Sequence, residues 1–456
     1  MTDIPIPAAL LLSGLLLACQ GPPPPTVASK ASGPPAWTAA AAPAEERASL
    51  ATTWAPTEDL DLLLLRAELA SPQVESAYRA WEQALARIPQ AQAPPDPWVR
   101  LGIYLQSVET RTGPMDGRLG VDQRLPWPGK LELAGDQAAA NAEVKRLELD
   151  AARLHVRHAF LRDFAERLYL ERAMAITTAQ TALLEKVELV SLSLYEAGKA
   201  TQADVLRAQV ELLEMEDRVR ALGARRRPLE AAMEAGLGAA LVTDANWGLP
   251  WHDQPQLPAL DTLLASLEAT SPALLALQAE AGAAEVAVEL SRLEDRPDFS
   301  LGVDWTWIGE GNPTTPDAGD DALALSLAME LPLQRGRIAG ARREALAARQ
   351  GAKARRTAAG WRLRAQLEAA AAAHEDAGDR HRLFEERLLP AANQTFETTL
   401  SAYQSGQAGF QDMLDAAQVV LDLRLAAVRA EADAARAYAE LLGLLPEMPR
   451  TEDSDR

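Results

Sequence analysis

Apolar residues recur along this chain on two different periods. In FSLGVDWTW the odd-numbered Phe299, Leu301, Val303, Trp305 and Trp307 are apolar, while Ser300, Gly302, Asp304 and Thr306 between them are small or polar. LALSLAMEL alternates in the same way through Leu323, Leu325, Leu327, Met329 and Leu331, and so do Val99, Leu101, Ile103 and Leu105, followed by a weaker run from Leu119 to Leu125. Period two predicts strands with one apolar face each. Downstream the period lengthens. No proline lies between Gly129 and Arg227, and Leu147, Leu154, Leu161 and Leu168 recur every seven residues, with Ala151 and Phe164 between them. Val205, Ala208, Leu212, Met215, Val219 and Leu222 then alternate steps of three and four, as do Leu414, Ala417, Leu421, Leu425, Val428 and Ala432. Such seams predict long helices packed as coiled coils. A helix of about 60 residues would be about 90 Å long, more than a globular core requires. The second copy is expected to run from Arg337 to about Ser401 and from Phe410 to about Leu442.

The elements come in two rounds, and so do short phrases. YEAGKATQADVLRAQ begins at Tyr195 and YQSGQAGFQDMLDAA at Tyr403, sharing Tyr-x-x-Gly with an Asp and a Leu at matching places. AELASPQVE at Ala67 is echoed by LEATSPALL at Leu267, DPWVRLGIY at Asp96 by RPDFSLGVD at Arg296, and LPWPGKLELAG at Leu125 by LPLQRGRIAGA at Leu331. Matched landmarks in one order indicate an internal duplication. The expected division is 59–250 and 251–446 for the two repeats, with a short disordered tail at 447–456.

Nine-residue alternating strands suit a membrane crossing. A soluble hairpin with one buried face is the other reading, but two hairpins that each lead into so long a helix favour the membrane. Four strands cannot close a barrel, and a bilayer tolerates no open sheet edge, so the barrel must be shared between chains.

Composition narrows the function. The net charge of −20 disfavours nucleic acid as a partner, and five histidines with one cysteine leave no Cys-based zinc site and no internal disulfide. His155 and His158 fall on a heptad helix, as surface or seam residues. No phosphate loop, metalloprotease motif or nucleophile elbow is present, so no enzyme is expected and no cofactor is implied. The one cysteine ends an apolar run that suits a signal peptide over 1–18, and Leu16-Leu17-Ala18-Cys19 resembles a bacterial lipobox. Cys19 is then the lipidated N-terminus of a Pro-rich linker over 19–58, and Gln20 after it favours the outer membrane.

Together, the duplicated strand-strand-helix-helix order, the two Tyr-x-x-Gly motifs and LPWPGK resemble the TolC-type family of bacterial outer-membrane efflux channels, from about Asp59 to Leu445. LPWPGK looks like the branch that serves heavy-metal efflux. The resemblance implies a mainly α fold with a β-barrel portion, in which the coiled-coil hairpins form an α-helical barrel. It also implies a homotrimer whose three chains contribute four transmembrane strands each, and a passive conduit driven by an inner-membrane pump through a periplasmic adaptor. Tyr195, Gly198, Tyr403 and Gly406 would mark the adaptor-contacting hairpin tips, the glycines allowing the reversal and the tyrosines packing where helices meet. Asp204, Asp412 and Asp415 would form an acidic entrance constriction, or else serve as helix-start carboxylates. The alternative is a periplasmic adaptor or coiled-coil scaffold without a barrel.

Overall fold

The computed structural model describes residues 60–237, 240, 256–312, 314 and 316–449. The expected signal peptide, Cys19, the Pro-rich linker and the end of the tail lie outside them.

The first repeat runs α1 (Leu60–Ala70), α2 (Pro72–Gln92), β1 (Trp98–Thr110), β2 (Gly113–Leu125), α3 (Lys130–Glu196) and α4 (Gln202–Leu237). The second runs α5 (Leu260–Thr270), α6 (Pro272–Arg292), β3 (Asp298–Ile308), β4 (Ala322–Glu330), α7 (Arg335–Leu383), α8 (Leu389–Gln404) and α9 (Phe410–Leu444). Each strand pair is therefore preceded by two helices that the periodicity did not announce. They match between repeats, at 11 and 21 residues, and break at the same buried serine, Ser71 or Ser271, before a proline. A residue before proline is pushed out of the helical region, so the Ser-Pro pair ends one helix and starts the next.

Residues 80–146 and 276–356 form one compact unit. Its core is an antiparallel sheet in the order β1-β2-β3-β4. The expected weak strand is longer than its pattern suggests, beginning at Gly113. Cross-strand rows bring the apolar positions together: Val99, Val121, Val303 and Leu325 in one row, Leu101, Leu119, Trp305 and Leu323 in the next. Leu101, Leu323, Leu325 and Leu327 are exposed, so nothing among the described residues covers this face. The β1–β2 loop is only Arg111–Thr112, whereas Gly309–Asp321 joins β3 to β4.

The remaining described residues make up a second unit. The seam leucines Leu147, Leu154, Leu161 and Leu168 are all buried. Both hairpins contribute to one apolar cluster, with Leu184, Val187, Ala208 and Met215 meeting Tyr403, Phe410, Met413, Leu414 and Leu421. Charge ties the same helices together, because Glu166 on α3 accepts from Arg225 on α4 and from Arg429 and Arg436 on α9. The long helix of the second repeat is not continuous as its pattern suggests. A π-helical turn at Phe384–Leu388 separates α7 from α8, and the Leu389 N–H reaches back five residues to the Phe384 carbonyl. Pro390 accounts for it: lacking an N–H and colliding with the carbonyl four residues earlier, a proline is accommodated by widening the turn. The first repeat has Ala182 at the corresponding place and stays α-helical.

Candidate functional site

The two hairpin tips share one turn. Gly198 has φ +70° and Gly406 φ +75°, the left-handed region that a Cβ disfavours. At the first, the Gly198 N–H donates to the Tyr195 carbonyl at 2.9 Å and the Lys199 N–H to Leu194 at 2.8 Å. At the second, the Gly406 N–H donates to Tyr403 at 3.0 Å and the Gln407 N–H to Ala402 at 2.8 Å. These bonds satisfy the last carbonyls of the incoming helix. The returning helix starts the same way in both. Asp204 accepts from the Thr201 N–H at 2.9 Å, and Asp412 from the Gly409 N–H at 3.1 Å. Thr201 returns a bond to the Asp204 N–H, completing a capping box that Gly409 cannot complete. Asp412 and Asp415 are both exposed, one helical turn apart, with the Gln411 amide on Asp415 at 2.8 Å.

The tyrosines are not equivalent. Tyr403 is 6% exposed, meets Phe410 edge-on at 5.8 Å, and shares a 3.1 Å hydrogen bond with Ser191 of the other hairpin. Tyr195, expected to pack likewise, is 44% exposed. The reason is local, because Gln202 stands where the second tip has Phe410, leaving no aromatic partner at the turn.

LPWPGK is a clamp between the repeats. The Trp127 N–H donates to Asp298 Oδ1 at 2.9 Å, Lys130 Nζ to the same oxygen at 2.7 Å, and Arg124 to Asp298 Oδ2 at 3.1 Å. The Trp127 ring stacks on Phe299 at 6.0 Å with the Arg296 guanidinium over it, and Gly129, φ +89°, turns the chain into α3. The second repeat has Leu333 and Gly336 in place of Trp127 and Lys130, so the clamp is made once per chain. Among the described residues, His155 is exposed, His158 packs beside Gly443, and His374 and His381 face backbone carbonyls of α9. Among the described residues no group of three or more His, Cys, Asp or Glu could hold a metal ion.

Residues 263–446 match the family model described as outer membrane efflux protein. That match lies within the second repeat. A search of curated proteins finds no match. Solved structures share the fold over most of the chain. The outer membrane protein VceC of Vibrio cholerae is 21% identical with a TM-score of 0.69, covering 84% of this chain and 95% of its own. The CmeC outer membrane channel of Campylobacter jejuni is 14% identical with a TM-score of 0.70, covering 85% of each chain. The open-state MtrE outer membrane channel of Neisseria gonorrhoeae is 17% identical with a TM-score of 0.69, covering 87% of this chain and 91% of its own. The chain thus has the fold of these outer-membrane channels, mainly helical with one four-stranded antiparallel sheet.

Proposed function

We propose that this protein is the outer-membrane component of a tripartite export system for metal ions or small toxic compounds, a passive conduit working as a homotrimer with a periplasmic adaptor and an inner-membrane pump. The observation that carries the reading is a sheet of four strands whose two edges are unpaired among the described residues, in a chain that also builds two hairpins with the same tip. Three chains would close a twelve-stranded barrel, the odd-numbered face of β3 and β4 toward lipid and the even-numbered face toward the lumen. The repeats over 59–250 and 251–446 each supply one hairpin to the tunnel wall. The tips at Tyr195, Gly198, Tyr403 and Gly406 receive the adaptor, and Cys19 adds a lipid anchor to the barrel's own insertion.

Asp412 and Asp415, with Asp204 beside them, line the periplasmic entrance. Carboxylates repeated round a narrow opening concentrate cations and repel anions. The first tip carries Arg207 where the second has Asp415, so the ring is uneven. The test is cation selectivity in planar bilayers. Asp412→Asn/Asp415→Asn should weaken it and lose block by multivalent cations added on the periplasmic side, with trimer stability kept, because an Asn at 412 still accepts the Gly409 N–H. Wild-type selectivity in the double variant would return these aspartates to helix capping alone.

A further inference from the structure

The sheet face opposite the apolar rows is charged in an ordered way. Arg100, Gly120, Asp304 and Ala324 stand in one row, flanked by Trp98, Asp122, Gly302 and Ser326 on one side and by Gly102, Arg118, Thr306 and Ala322 on the other. Arg100 Nη2 lies 2.6 Å from Asp122 Oδ2 and 3.7 Å from Asp304 Oδ1, and Arg118 Nε lies 3.2 Å from the same Asp304 oxygen. Both carboxylates rest on glycine. A Cβ at Gly120 would meet Asp304 Oδ1 at 2.4 Å, and one at Gly302 would meet Asp122 Oδ1 at 2.6 Å. The acids are therefore recessed, at 28% and 15% side-chain exposure for Asp122 and Asp304, beneath guanidiniums that are 50% and 45% exposed at Arg100 and Arg118. Strand β4 adds Ala322, Ala324, Ser326 and Ala328 to this face, with Glu330 at its end held by Arg124 at 2.7 Å.

We propose that Arg100 and Arg118 form an anion-favouring belt on the lumen wall of the barrel, with Asp122 and Asp304 as the positioning residues that hold them. The inference rests on the reading that the opposite face meets lipid. A guanidinium seated over a carboxylate at its base is a dipole with its positive end toward the pore, and low-dielectric walls focus that field. Each guanidinium has five N–H donors, and the pairs described engage only part of them. The rest suit the carboxylate, sulfonate or phosphate groups of passing solutes. The charge turned toward solute is thus opposite to that of the acidic entrance.

The test is the chloride-to-potassium permeability ratio of the full-length protein in planar bilayers, from reversal potentials in a salt gradient. All variants carry Asp412→Asn/Asp415→Asn so that the entrance does not mask the barrel. Arg100→Gln/Arg118→Gln should lower the ratio by about twofold or more. A quadruple variant adding Asp122→Asn/Asp304→Asn removes the bared carboxylates and keeps the shape; it should also fall, by less. Arg100→Lys/Arg118→Lys should keep the ratio. Equal ratios in all four pores would overturn the belt alone. A background protein that forms no pore would overturn the barrel reading, and the belt with it.

Discussion

Tyr195 and Tyr403 occupy the same place in two copies of one phrase, yet only the second is bound into the protein. The repeat and the glycine reversals are legible in the residue pattern, because a left-handed turn constrains the local sequence directly. Which tyrosine is buried is not, because that depends on Phe410 beside it and on Ser191 across the hairpins. A side chain's partner in another element leaves no mark on its own neighbours in sequence. The difference should be measurable. Tyr403→Phe removes one buried hydrogen bond and should cost about 1 kcal/mol in chemical denaturation, whereas Tyr195→Phe should be neutral. Equal effects would mean that both tips are packed alike. The same limit applies to Glu166, an ordinary heptad glutamate until three arginines from α4 and α9 converge on it.

Strands and long helices were readable because each repeats one periodic rule over many residues. Of the helices before each strand pair, α1 and α5 escaped because they have only 11 residues, too few for a seam to declare itself. The π turn escaped for another reason: heptad counting registers spacing between apolar residues and is blind to a single Pro390. The strands' alternation makes a directional prediction. Leu325→Arg puts a charge on the apolar row and should cost about 2–4 kcal/mol per chain near the bilayer midplane. Ser326→Arg, on the facing side and beside Gly302, should leave assembly intact and alter conductance. Yield of heat-resistant oligomer from membranes reads the first, and single-channel recording the second. Equal tolerance at both positions would mean that β4 does not cross a membrane.

For the whole molecule, the response to pH follows from two groups buried among the helices with opposite sign. Burial, then the nearby Arg162 charge, lowers the His158 pKa below its usual 6.5. The unfolded chain then takes up the proton first, so stability is lost as pH falls below about 6.5 toward the folded value. Burial raises the Glu68 carboxyl above its usual 4.5 against the pull of Arg157. Its contribution is present below that value and is lost as pH rises through the folded one. Warming midpoints should therefore fall between about pH 7 and about pH 6, and fall less in His158→Gln; identical falls would place the sensitivity elsewhere. The sheet order β1-β2-β3-β4 has a consequence for how cells make such a protein. In the proposed barrel the outer edges of β1 and β4 are satisfied by other chains, so a newly secreted subunit has no stable place in the bilayer by itself. Insertion must then wait on encounter. Its rate should rise steeply with subunit concentration, and orphan subunits, with leucine rows uncovered, become clients for periplasmic chaperones and proteases.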